Sequence, residues 1–361
     1  MSLDLNNTDK LADFRADAIR LGIKVRPPSV QYSSGDFAVR DGEILYALSA
    51  VKGVGTLAAD HVAQARSADG EFKSLTDFAR RLNPKAINKR AIESMIAAGA
   101  LDELHEDRAA LHAGGDLLIS EAARVTGANE TGQNELFGAD SGLADIRLPK
   151  TAPWLPAEVL QREYQTIGFY FSAHPLDSYH ALLEKQRVQS WLDFEQSVKK
   201  GASAGRLAGT ITSKTERRTR SGNKMGILQV SDASGQYEAV LFSEKLSQYR
   251  DLLEPGKSVV LHVGAQDRPE GVSLNINRVE TLDGIAERNH RQLRLFVRDE
   301  GPLPHLASQL RSGGNGEVSL VLLPEAADRE VEIQLPGRFK INPQIQSACK
   351  SIPGVLEAEL N

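Results

Sequence analysis

Apolar positions in the first hundred residues recur at helical spacing, in short bursts. In "DKLADFRADAIRL", residues 9–21, Leu11, Phe14, Ala18 and Leu21 fall on one face, and Gly22 follows where a left-handed C-cap belongs. Pro27-Pro28 ends that unit. "FAVRDGEILY" then alternates around Asp41-Gly42, a pair that tolerates the positive φ angles of a type I′ hairpin turn. After "VKGVG", Leu57, Ala58, Val62 and Ala65 predict one face of a helix. A further helix is expected from Asn88, a side chain suited to the N-cap, with Ile92, Met95 and Ile96 inward and Gly99 as its stop. A helical run over 155–171 leads into the turn "AHPLD".

From residue 204 the period falls to two. "GRLAGTITSKTERRT", "MGILQVSD" and "QYEAVLF" read as strands, "SEKLSQYRDLL" as a helix, and "SVVLHVGAQDR" and "VSLNINRVETL" as two more strands. Three strands, a helix and two strands is the element order of a five-stranded OB barrel. The last seventy residues read β-α-β-β-α-β, which suits a small split-βαβ sandwich.

Composition and charge sharpen this picture. With 361 residues, 41% of them hydrophobic and 25% charged, the chain has a soluble, globular composition and room for roughly two to four domains. The net charge is −5, so any nucleic-acid contact must use a local excess of cations. Such an excess exists: residues 51–100 hold eight Lys/Arg against five acids, whereas 101–150 hold ten acids against four Lys/Arg. Within the acidic block, the Gly/Asn/Thr-rich stretch 126–143 reads as a loosely held connector. Cys349 is the one cysteine, which excludes an intramolecular disulfide and a Cys-based zinc site and fits a reducing, cytoplasmic setting. No signal-peptide profile opens the chain and no apolar run approaches the ~20 residues of a membrane span, so no membrane partner is expected.

Three stretches could carry function. The first is Lys52-Gly53-Val54-Gly55. Free amides at a helix start suit a phosphate oxygen, and glycines remove the Cβ atoms that would hold a nucleic-acid backbone away. Val51, Gly53, Val54, Gly55, Ala58 and the basic Arg66 fit a helix-hairpin-helix motif, and Lys89-Arg90 opens a second helical pair that lacks the glycines. A glycine-rich turn without a ligand would read the same from the GxG alone. The second is "SKTERRTRSGNK", 213–224, with Lys214, Arg217, Arg218, Arg220 and Lys224 against Glu216. On the first hairpin loop of a barrel these cations would grip single-stranded DNA, with Tyr237 and Phe242 as candidate stacking rings or as ordinary core. The third is "QNELF", where Leu136 and Phe137 would fill an apolar pocket and Gln133 would hydrogen-bond beside it. No Asp-x-Asp pair, H-E-x-x-H, Walker loop or G-x-S-x-G occurs, so no catalytic residue, metal site or cofactor is assigned; Asp193-Phe194-Glu195 falls in a predicted helix start.

"NNTDKLADFRADAIRLGIKVRPPSV", "YALSAVKGVGTLAADHVAQAR", "FKSLTDFARRL", "INKRAIESMIAAGALDEL" and "EYQTIGFYFSAHPLDSY" resemble successive landmarks of the bacterial DNA polymerase III alpha subunit, the replicative C-family polymerase. The resemblance runs in order from residue 1 to about 285 and is most specific over 5–180. It implies the C-terminal portion of that family, with the PHP domain, the palm and its aspartates, and most of the fingers upstream of Met1; the chain then reads as a fragment or a truncated frame. Magnesium and nucleotidyl transfer belong, by the same implication, to the whole DNA-directed DNA polymerase, and this chain is expected to be inactive alone.

The expected architecture is multidomain α+β. Residues 1–50 correspond to the end of the fingers and 51–105 to a tandem helix-hairpin-helix domain. Residues 106–190 form an acidic connector with a clamp-binding peptide and a helix, 191–284 an OB domain, and 285–361 a small C-terminal α/β sandwich. The resemblance implies double- and single-stranded DNA, the sliding clamp and, through 285–361, the clamp loader's tau subunit as partners. From the modules alone, a stand-alone nucleic-acid-binding adaptor and a repair-nuclease accessory remain open.

Overall fold

The computed structural model describes residues 1–130, 145–219, 222–323 and 330–361, with backbone only at 128–130. It divides into two compact units, residues 1–154 with 158–172 and residues 155–157 with 173–361. Among the described residues no helix is long and apolar enough to cross a membrane.

The first unit is mainly helical: α1 Thr8–Arg20, α2 Thr56–Asp69, α3 Leu75–Arg81, α4 Lys89–Ala97, α5 Arg108–Ala113, α6 Gly115–Glu130 and α7 Pro156–Ile167. A small sheet of β1 Val25–Arg26, β2 Ala38–Arg40 and β3 Glu43–Leu45 completes it, in the order β1-β3-β2. Local chemistry sets the helix starts. Asn7, Ser74, Asn88 and Asp107 each accept an amide of the following turn, as N-caps should. Asp41 and Gly42 both take positive φ, and the β2–β3 hairpin forms around them. Ile92, Met95 and Ile96 are fully buried beside Phe78 and Leu101.

Two positions depart from the periodicity. Leu21 is 70% exposed because α1 ends before it and Gly22, at φ +73°, turns the chain away. Leu57 is 67% exposed, while its helical neighbours Ala58 and Val62 are buried. Among the described residues nothing covers the first turn of α2 on that side, so Leu57 leaves the predicted face.

A buried carboxylate fixes the end of α7. Glu163 accepts from the amides of Phe171 (2.7 Å) and Ser172 (2.8 Å), and the Arg108 guanidinium lies 3.9 Å away. Arg15 donates to the Phe171 carbonyl (2.8 Å) and lies 4.5 Å over its ring. The chain held this way reaches the glycine hairpin, where the Lys52 amide donates to the Thr166 carbonyl (2.7 Å).

The second unit holds a closed barrel of β4 Ala204–Arg218, β5 Lys224–Asp232, β6 Gly235–Phe242, β7 Ser258–Arg268 and β8 Gly271–Thr281, in the order β4-β5-β6-β8-β7. Closure depends on β4, whose first half pairs with β7 and whose second half pairs with β5, around an irregularity between Ile211 and Ser213. Gly205 leaves room for the barrel's packing: a Cβ there would collide with the ring of Phe194 from α9 (Trp191–Lys199), which belongs to the barrel core. After α8 (His180–Lys185) and α9 the chain enters β4, and α10 (Ser243–Tyr249) joins β6 to β7, as the strand, helix and strand order predicted.

Beyond the barrel, α11 (Leu282–Asn289) leads into β9 Gln292–Val297, α12 Leu303–Gln309, β10 Ser312–Leu322, β11 Val331–Gln334, α13 Pro343–Lys350 and β12 Val355–Leu360. The element order is the predicted one, but only the second βαβ unit, β11-α13-β12, is split; the first, β9-α12-β10, is not. β9 and β10 are adjacent and parallel, and the sheet runs β11-β10-β9-β12. Sequence order cannot distinguish these arrangements, because the choice lies in which strand edge β10 adds to. Asp283 ties this module to the rest of the unit, accepting from the Tyr179 hydroxyl (2.6 Å) and from Asn342 Nδ2 (2.9 Å).

Candidate nucleic-acid interface

The two glycines of "KGVG" do different work. Val51 and Val54 are buried and pin the turn to the core, while Lys52, Gly53 and Gly55 are exposed. Gly53 is required by the fold. It has φ +91°, and a Cβ there would lie 2.6 Å from Ser94 Oγ on α4. Gly55 is not. Its φ of −75° is open to any residue, and a Cβ there would meet nothing within 4 Å.

Gly55 is also the N-cap of α2 and provides no side chain to accept the amides of the first turn, which carries no acid. Those amides and the helix dipole face outward with a net partial positive charge. Lys52 is exposed alongside, and Arg90 Nε would lie 3.7 Å from a Cβ on Gly53. The fold thus brings Lys52, Gly53, Gly55 and Arg90 together at one exposed helix start, with Leu57 bare on the same turn.

The other helix start is closed. Asn88 Oδ1 accepts the Ala91 amide (2.9 Å), so α4 is capped by its own chain. Lys89 Nζ lies 2.6 Å from Asp116 Oδ2 and 3.8 Å from Glu93, and the hydrogen bond to Asp116 raises its pKa. Arg66, the basic residue of the motif, is half-buried and donates to the Val30 carbonyl (2.7 Å); burial lowers its pKa. Both residues are held within the unit by groups distant in sequence.

On the barrel, the basic stretch is strand through Arg218 and again from Lys224. β4 and β5 stay paired out to Arg218 and Lys224, so the cations line the arms of a hairpin. Pairing with β5 sustains the strand past the point where the sequence predicts a loop. Lys214 is largely covered, within 3.5 Å of the Arg250 carbonyl and Glu254, and Glu216 is bound by Arg250, which lowers its pKa. Arg217 and Arg218 are exposed, and Arg218 stands opposite Lys224.

Arg217, Met225 and Phe242 are directly opposed across β4, β5 and β6 and so share the outer face. Phe242 is 50% exposed. Tyr237 is core: its ring stacks on Trp191 at 5.0 Å and its hydroxyl donates to the Ala208 carbonyl (3.3 Å). No local sequence signal marks the place of Met225 in this row; only the register of three strands reveals it. Arg220 and the peptide residues Gln133, Leu136 and Phe137 lie outside the described residues. Asp193 sits in the first turn of α9, where Ser190 caps the helix.

Comparison with known proteins agrees with this arrangement. A helix-hairpin-helix motif family matches residues 22–111, and an OB-fold nucleic acid binding domain family matches residues 206–282. DNA polymerase III subunit alpha of Caulobacter vibrioides is 37% identical over 98% of this chain, that of Bacillus subtilis 30% identical over 95%, and that of Escherichia coli K12 28% identical over 95%. The chain spans 31% of the first of these relatives and 30% of the other two. Among solved structures, the Saccharomyces cerevisiae mitochondrial single-stranded DNA binding protein Rim1 aligns over 22% of this chain and 93% of its own, at 19% identity and a TM-score of 0.20, too low to carry any argument. With both nucleic-acid-binding modules in place and relatives of one name along nearly its whole length, the chain belongs to the DNA polymerase III alpha-subunit family.

Proposed function

We propose that this chain holds DNA for a replicative polymerase and tethers that enzyme to its sliding clamp. The observation that carries the reading is Gly55. The fold makes no demand for glycine there, yet the residue sits bare at an uncapped helix start beside Lys52 and Arg90. A duplex phosphate seated on the α2 amides needs that bareness. The contact reads the backbone and not the bases, which suits an enzyme that moves along any sequence.

The barrel then takes the template single strand. Arg217, Arg218 and Lys224 hold phosphates, and Phe242 with Met225 offers a surface on which a base can stack. "QNELF" docks on the clamp through Leu136 and Phe137, with Gln133 hydrogen-bonding beside them, and residues 285–361 face the clamp loader's tau subunit. Nucleotidyl transfer with magnesium belongs to the whole polymerase.

The decisive test is equilibrium binding of a primer–template duplex by the chain and by Gly55→Ala. Affinity should fall on every duplex sequence alike, with an unchanged melting temperature; equal binding by the two proteins removes the hairpin from the reading. Leu136→Ala with Phe137→Ala should abolish clamp capture, and retained capture would leave the peptide a structural role. Nucleotide incorporation by the purified chain would refute the division of labour.

A further inference from the structure

A second cationic ribbon lies in the C-terminal module. "RSGGNG", 311–316, runs antiparallel to "GRFK", 337–340, around a bridge between Ser312 and Phe339. The Lys340 amide donates to the Arg311 carbonyl (2.9 Å), and the Gly313 amide donates to the Arg338 carbonyl (3.0 Å). This register places Arg311 directly opposite Lys340, and Gly313 directly opposite Arg338.

Phe339 packs against the core of the module, so Arg338 and Lys340 on either side of it point outward. All three cations are exposed. Arg338 pairs with Glu317 at 2.9 Å, but among the described residues no ion pair joins Arg311 or Lys340 to an acid.

Like charges opposed across a ladder destabilise it. The fold gains nothing from Arg311 facing Lys340, and many residues would serve these exposed positions better. The glycines beside them have an internal cause: Gly313 takes φ +86°, and a Cβ on Gly314 would collide with the Phe339 carbonyl. They nevertheless leave the backbone beside the cations bare. The barrel hairpin repeats the device, with Arg218 opposite Lys224.

We infer that Arg311, Lys340 and Arg338 form a phosphate-backbone contact for single-stranded DNA in the C-terminal module. The inference rests on the proposed function only in taking DNA as the ligand class; neither the hairpin at 51–55 nor the barrel contributes a residue to it. The outward face of 338–340 carries cations and no apolar anchor of the sort that dominates protein docking. A row of phosphates needs only charge and access, and releases counterions when bound.

The test uses the full 361-residue chain with Arg311→Gln and Lys340→Gln together, two exposed positions whose loss should leave the melting temperature unchanged. Oligothymidylate is supplied in two lengths, one of about 12 nucleotides that fills a barrel site and one several times longer. On the long strand the slope of log affinity against log salt should become shallower by about 1.4, two phosphates at ~0.7 each. The short strand should bind as before.

An unchanged slope on the long strand overturns the inference. So does loss of binding to polyglutamate with oligothymidylate binding intact, which would mark a protein-docking surface. Arg311→Lys with Lys340→Arg keeps the charge and should keep the slope, so a loss there also counts against the inference. Arg217→Gln with Arg218→Gln is run in parallel and should weaken both lengths. If it weakens neither, the barrel's part in the proposed function fails, while the ribbon is still judged by its own variants.

Discussion

The starts of α2 and α4 carry the same kind of free amides and a nearby excess of basic side chains, yet they are finished differently. At α4 the chain satisfies itself: Asn88 caps the Ala91 amide and Lys89 is neutralised by Asp116. At α2 Gly55 offers no cap, the first turn carries no acid, and Lys52 and Arg90 stand exposed. A helix end completed internally is a structural element. One left open, at a position where the fold tolerates any side chain, is open for something else. The two starts teach that a binding motif is recognised as much by what the protein declines to fill as by what it supplies.

The sharpest way to break the comparison is Gly53→Ala. With φ +91° and Ser94 Oγ in the way, this change should cost the fold about 2 to 3 kcal/mol, read as a lowered denaturation midpoint, and duplex binding should fall with it. A midpoint equal to wild type would mean the turn is not held by α4.

Gly55→Asp converts the α2 start into the α4 kind. The carboxylate should cap the helix and raise stability by a few tenths of a kcal/mol, while displacing phosphate and lowering duplex affinity roughly tenfold, ~1.4 kcal/mol. Stability and binding moving in the same direction would contradict the comparison.

Asn88→Ala should lose about 1 kcal/mol of stability in a thermal melt and leave duplex affinity untouched; weakened binding at matched folded fraction would make α4 a DNA contact too. The smallest effect separates the lysines. Lys52→Gln should reduce the salt slope of duplex binding by about 0.9, whereas Lys89→Gln should leave it unchanged because Asp116 already holds that ammonium. Equal slopes for the two variants would erase the distinction.

Much of this was legible in the chain. The Asn88 cap, the Asp41-Gly42 turn, the inward Ile92, Met95 and Ile96, and the barrel's element order all follow from local periodicity and turn chemistry. Periodicity places Leu57 and Leu21 on buried faces, yet both are exposed, because a period assigns a face and says nothing of where the covering ends. The turn residues and cations of 213–224 predict a loop, whereas the part up to Arg218 is a strand that only pairing with β5 makes stable. The partners of Lys89, Arg66 and Lys214 lie 27, 36 and 36 residues away in sequence and left no local trace.

By itself the sequence determined the modules, their order and the residues with the chemistry to meet DNA, because helix periods, strand alternation, caps and turns are local preferences written within a few residues. Only the tertiary structure decided which of those residues are free to do so. Gly53 and Gly55 are the same letter two positions apart, and what separates them is Ser94, brought against one and not the other by the packing of α4.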